Sequence, residues 1–223
     1  MGYLSLNIQM NGKLIIIVGG GKVAERKVSN ILPSGAKLTV ISPTLTFELQ
    51  QLRDNGAISH LPQKYSSGDL NGAFMVIAAT NDRETNRLVA DEAINLSILA
   101  EITDSPSSGN VTSPAVIRQG DLTIAISTNN RAPSLAAAIK NELIPLFGDE
   151  YAKSINLLGA VREKLLTDRG GSTYNKQVLS DMSEKLPALF ASNATEEIEK
   201  LLHKHLGEDF RLSVFFCETG DNQ

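Results

Sequence analysis

From the amino terminus to about residue 104, short apolar runs alternate with stretches in which apolar residues recur at helical spacing. The apolar runs predict strands at Lys13–Val18, Lys37–Ile41, Ile58–Leu61, Phe74–Ala79 and Ile98–Thr103. Between them the spacing predicts helices at Val23–Leu32, Thr44–Asn55 and Asn81–Ile94. Gly35 and Gly56 stand where the first two helices need a left-handed terminal residue, and Asp82 or Asn81 can cap the third. Strand and helix in strict alternation predict a parallel sheet with helices on both faces, whose ligands bind beyond the carboxyl ends of the strands.

The pattern then changes. Pro114–Arg118 and Leu122–Thr128 read as two strands joined across Gln119-Gly120-Asp121, as a hairpin or as crossing edge strands. Helical spacing follows at Ser134–Leu146, Asp149–Thr167, Tyr174–Phe190 and Thr195–Leu206, with a break at Asp168–Thr173. Asn193 with Glu196 forms a capping box for the last helix, and Gly207 ends it. We therefore expect a Rossmann-like domain over 1–112, a linking or dimerising region over 113–147, and an α-helical domain over 148–223.

The first strand and helix carry the most specific chemistry. In Leu14–Lys27, LIIIVGGGKVAERK, residues Gly19, Gly21 and Ala24 fill the small positions of the G-x-G-x-x-(G/A) turn of a Rossmann-like fold. Side chains at Gly19 or Gly21 would obstruct the turn or an approaching pyrophosphate, which the following helix would hold through its amides and dipole. The second strand ends in Ile41-Ser42-Pro43-Thr44, with neither a carboxylate for a ribose nor an arginine for a 2′-phosphate. Ser42 and Thr44 still offer hydroxyls, so the residues alone leave NAD against NADP open. The fourth strand ends in Ile77-Ala78-Ala79-Thr80-Asn81-Asp82, where small residues admit a ring and Thr80 and Asn81 can bond a cofactor or cap the helix.

Asp104, at the mouth of the fifth strand, is the carboxylate placed to take a proton beside a hydride acceptor. His203 and His205 stand two apart on a helix and so face different ways, and no metal site is expected. No Ser-His-Asp or Cys-His arrangement supports a nucleophilic hydrolase.

Composition narrows the class. The 223 residues are 42% hydrophobic and 21% charged, with a net charge of −4, which disfavours a general nucleic-acid binder. The single cysteine, Cys217, precludes an intramolecular disulfide and a thiolate metal cluster. With no basic leader and no apolar run long enough to span a bilayer, a soluble cytoplasmic protein is expected.

Taken in order, VGGGKVAERK, VISP, IAATNDRETN, the Asp104 segment and PAVIRQGDLTIAIST resemble the precorrin-2 dehydrogenase family, which includes the amino-terminal half of siroheme synthase. The resemblance spans roughly residues 3–145. It implies NAD-dependent oxidation of precorrin-2 to sirohydrochlorin in siroheme or cobalamin synthesis, by a homodimer; some members also insert ferrous iron. With no methyltransferase segment in the sequence, the three-activity form is not expected, and dehydrogenation alone or with weak metal insertion is. Gly19, Gly20, Gly21, Lys22 and Val23 would hold the pyrophosphate, and Pro43 and Thr44 would line the adenosine side. Asp104 would be the acid/base, and Ser127 the serine of the segment after the last strand. The chain departs from the family at Glu101, at Ser107-Ser108-Gly109-Asn110, and at Ser127-Thr-Asn-Asn-Arg-Ala-Pro133, where Asn129 and Asn130 replace glycines and tolerate left-handed backbone.

A tetrapyrrole polycarboxylate bound by an acidic protein needs local cations. Arg118 and Arg131 are the candidate substrate clamps, with Lys22 and Lys140 as further candidates. The competing reading is a regulatory NAD-binding module of the potassium-transport type, which shares an A-T-x-D-x-x-x-N segment like Ala79–Asn86. Such a module normally ends its second strand in an acidic residue and has no need of the Pro114–Thr128 segment.

Overall fold

The computed structural model describes residues 2–169, 173–208 and 210–213. The chain divides into two compact units, with the boundary between Ser113 and Pro114. The first unit holds strands β1 (Leu14–Val18), β2 (Lys37–Ile41), β3 (Ser59–Leu61), β4 (Met75–Ala78) and β5 (Leu99–Ile102). All are parallel, in the order β3-β2-β1-β4-β5. Helices α1 (Lys22–Ile31), α2 (Phe47–Asp54) and α3 (Arg83–Asn95) connect them.

β1 is buried on both sides, so it reads as an unbroken apolar run rather than an alternating one. Ile15 and Ile17 pack with Ala24 and Val28 of α1 and Leu49 of α2; Ile16 and Val18 face the other way, onto Val89, Ala90 and Ala93 of α3. Helices therefore cover both faces. Chain direction reverses its winding between β1 and β4, and their carboxyl ends flank the position where a doubly wound sheet opens a crevice.

Of the expected terminal residues, Gly35 and Gly56 have φ of 72° and 78°, and Asp82 rather than Asn81 caps α3, accepting from the Glu84 amide at 3.1 Å. The second helix starts later than its spacing indicates, at Phe47, because Thr46 caps it through the Leu49 amide. Two departures from the family pattern have local explanations. Asn110 behaves as an added edge partner of β5: its Oδ1 accepts from the Ala100 amide at 2.8 Å and its Nδ2 donates to the Ile98 carbonyl at 3.1 Å. Glu101 is paired with Lys27 inside the unit.

In the second unit, β6 (Ala115–Gln119) and β7 (Leu122–Ile126) form an antiparallel hairpin about Gly120, which has φ of 54°. It is a hairpin, not a pair of crossing strands. After it, Asn129 and Asn130 adopt φ of 52° and 60°, the left-handed geometry expected of them. Helix α4 (Pro133–Leu143) passes into a 3-10 turn at Ile144–Leu146, where Pro145 has no amide to continue it. Helices α5 (Asp149–Arg169), α6 (Thr173–Ala191) and α7 (Thr195–Leu206) bury Leu157, Val161, Met182, Leu186, Ile198 and Leu202 in a separate core. Part of the expected break, residues 170–172, lies outside the described residues.

The capping box at the last helix is not formed. Ala194 occupies the N-cap position with no side-chain bond, while Asn193, at φ 53°, closes α6 by donating its amide to the Phe190 carbonyl. The preceding helix needs the left-handed residue, and one backbone conformation cannot serve both ends.

Candidate dinucleotide site

The crevice at the ends of β1, β2 and β4 encloses about 550 Å³. Gly19, Gly20, Gly21, Ser42, Pro43, Thr44, Thr80 and Asn81 all line it, so segments from three strands meet, while the fourth expected at this crevice, Asp104, does not line it. Val23 is not among its lining residues, and neither is Lys22. The Lys22 ammonium instead lies 3.0 Å from Glu25 and 3.2 Å from Glu48, and these hydrogen bonds raise its pKa, Glu25 first. What those two positions can offer an anion is their backbone at the start of α1, a helix whose N-cap, Gly21, has no side-chain capping bond.

The three glycines are small for three different reasons. Gly19 has φ of 118°, and a Cβ there would lie 2.4 Å from the Ala79 carbonyl oxygen. At Gly20, the unspecified position of the fingerprint, a Cβ would lie 2.0 Å from the Thr44 carbonyl oxygen and 2.7 Å from the Ser42 hydroxyl. The loop after β2 rests on Gly20, a requirement no local motif states. Gly21 has no atom within 4 Å of its hypothetical Cβ and an unstrained φ of −89°. No protein group demands glycine there, and the space beside it is open. A pyrophosphate at an uncapped helix start fits that space and its chemistry.

The hydroxyls divide by burial. Ser42 is buried and donates to the Thr44 carbonyl at 2.8 Å, which holds the β2 loop and turns its proton away from any ribose. The Thr80 hydroxyl bonds the Asn86 Oδ1 at 2.7 Å and the Asp82 carbonyl at 2.9 Å. Asn86 in turn donates from Nδ2 to Asp104 Oδ1 at 2.9 Å. Asp104 itself lines a neighbouring cleft of about 370 Å³ with Arg83, Arg87, Ser105 and Ser108.

Several site residues escaped the sequence reading. Lys64 and Tyr65 reach the crevice from the segment between β3 and β4, and Asp82 and Thr85 from the start of α3. Burial, then the hydrogen bond to Glu92, pushes the Tyr65 phenol well above its usual range. Glu92 also accepts from the amides of Gly68 and Leu70, so it shapes that segment from α3. Lys64 and Tyr65 belong to no periodic element, and nothing local marked them. Arg118, Ser127 and Arg131 belong to the second unit: all three are exposed, Arg118 on β6, and the Ser127 hydroxyl accepts from the Asn129 amide at 3.2 Å.

An NAD(P)-binding family model, NAD_binding_7, matches residues 6–115. The structure is similar to SirC, a precorrin-2 dehydrogenase, with a TM-score of 0.75 and 26% identity over 89% of this chain and 98% of that one. The chain is thus similar in fold and in sequence to a precorrin-2 dehydrogenase. Siroheme synthase 3 of Aeromonas hydrophila is 36% identical over 165 residues, 74% of this chain and 35% of that protein. Siroheme synthase of Photorhabdus laumondii is 31% identical over 210 residues, 92% of this chain and 44% of its own length. The chain thus spans less than half the length of these curated relatives. The matched segment covers nearly all of the first unit, which carries the glycine turn and the open helix start.

Proposed function

We propose that this chain oxidises precorrin-2 to sirohydrochlorin with NAD as the acceptor. The observation that carries the reading is Gly21, a glycine with room for a side chain that no protein atom excludes, at an uncapped helix start facing a crevice built from three strand ends. The oxidation removes a hydride and a proton from the reduced macrocycle and leaves one more double bond in it. Bound in the crevice, NAD supplies the hydride acceptor.

The remaining work falls to the chain's own residues. The amides from Gly20 to Val23 hold the pyrophosphate, while Pro43 and Thr44 line the adenosine side. Thr80 and Asn81 bond the ribose or nicotinamide portion, and Asp104 takes up the proton. Arg118, Ser127 and Arg131 bind the substrate carboxylates, in a homodimer formed through the 113–147 region. The Ser42 hydroxyl supports the loop on the adenosine side through the Thr44 carbonyl.

Anaerobic incubation of the protein with precorrin-2 and NAD, followed through the sirohydrochlorin absorption spectrum, tests this reading. NAD-dependent formation of that spectrum is expected. Dinucleotide binding without turnover would overturn it in favour of a regulatory nucleotide-binding module. Repeating the assay with ferrous or cobaltous ion, as the metal to be inserted, reads chelation separately.

A further inference from the structure

We infer that Asn86 is the positioning residue that aligns the Asp104 carboxylate with the dinucleotide crevice, an inference that rests on the proposed role of Asp104. Asn86 lies in the first turns of α3 and is 1% exposed, although asparagine is a poorer helix residue than the alanines further along the same buried face. A buried polar side chain needs partners, and this one has a full set. Its Oδ1 accepts from the Thr80 hydroxyl at 2.7 Å and the Thr80 amide at 3.3 Å. Its Nδ2 donates to the Thr80 carbonyl at 3.1 Å and to Asp104 Oδ1 at 2.9 Å.

The chemistry of these partners allows one orientation of the amide. An ionised carboxylate only accepts, so Nδ2 faces Asp104; a backbone N–H only donates, so Oδ1 faces Thr80. Flipping the amide would set oxygen against the carboxylate and nitrogen against the Thr80 N–H. Thr80 lines the dinucleotide crevice and Asp104 lines the neighbouring cleft, so one locked side chain spans the wall between the two cavities. It holds one carboxylate oxygen of Asp104, and among the described residues no group bonds the other, which is left for the reacting substrate. A charge-assisted bond of this kind constrains direction as well as distance.

The test is a cycle of variants assayed for anaerobic precorrin-2 oxidation: Asn86→Ala, Asp104→Asn, and both together. Asn86→Ala is expected to lower kcat about 10-fold with KM for NAD and for precorrin-2 within about threefold, and to add nothing in the Asp104→Asn background. Multiplying effects, or a raised KM with unchanged kcat, would reduce Asn86 to a structural role and overturn the inference. Asn86→Asp keeps an acceptor for Thr80 and places a carboxylate against Asp104. Its melting temperature should fall and should recover in the Asn86→Asp/Asp104→Asn exchange, a readout that survives poor folding of the alanine variant. No recovery would mean that the two side chains do not bond. Unchanged turnover in Asp104→Asn alone would instead refute the proton-accepting role of Asp104, and the melting cycle would still report on the contact.

Discussion

The Lys27 ammonium lies 2.6 Å from Glu101 Oε1, with the two side chains 11% and 10% exposed. This ion pair joins α1, the helix that opens onto the crevice, to β5, and the same carboxylate accepts the amide of Ser113 at 3.1 Å and its hydroxyl at 2.8 Å. Two buried charges each cost several kcal/mol to desolvate, so the pair is tolerable only while both partners remain.

Lys27→Met is therefore expected to destabilise the protein by about 3 kcal/mol, because it strands the Glu101 carboxylate. Lys27→Met combined with Glu101→Leu should cost less than Lys27→Met alone. Urea unfolding of the two variants at neutral pH checks the order, and a double variant less stable than the single one would contradict it.

The glycines separate folding from binding. Gly20→Ala brings a methyl within 2.0 Å of the Thr44 carbonyl oxygen and should lower the melting temperature by several degrees. Gly21→Ala meets open space at a φ any residue adopts, so melting should hold while the Kd for NAD, read by fluorescence titration, rises about 10-fold or more. Equal NAD affinity in the Gly21 variant would remove the ligand from that space.

Asp82 gives a pH dependence of defined sign. The Thr85 hydroxyl and then the Glu84 amide hold its carboxyl below the ordinary value of 3.8. A depressed native pKa contributes stability that is present above the unfolded value and lost as pH falls through the folded one. Stability of the wild type should therefore fall more steeply with acid below about pH 4 than that of Asp82→Asn, measured by unfolding at several pH values. Parallel curves would mean that the cap bonds equally well when protonated.

Asp104→Ala should lower the rate of precorrin-2 oxidation at least about 100-fold while leaving the NAD Kd within about threefold, since Asp104 lines a cleft beside the crevice and not the crevice itself. Stopped-flow spectra and NAD titration on the same preparation provide both numbers.

What the sequence by itself determined is local. Apolar runs placed the five parallel strands because strands buried on both faces need no alternation, and Gly19, Gly35, Gly56 and Asp82 marked ends because left-handed backbone and helix caps admit few residue types. That the loops after β1, β2 and β4 line one crevice was legible because a doubly wound sheet opens its crevice at the carboxyl ends of its strands. The tertiary structure alone decided which partners those residues meet. Gly20 is glycine because the β2 loop rests on it, Ser42 spends its proton inside that loop, and Lys22 turns to two glutamates. Asn193 serves the helix before it, Lys27 meets Glu101 across 74 residues of chain, and Asn86 reaches Asp104 from another element. Periodicity reports which face of an element is buried, whereas hydrogen-bond and charge partners are set by packing between elements distant in the chain, and that relation has no signature in a single sequence.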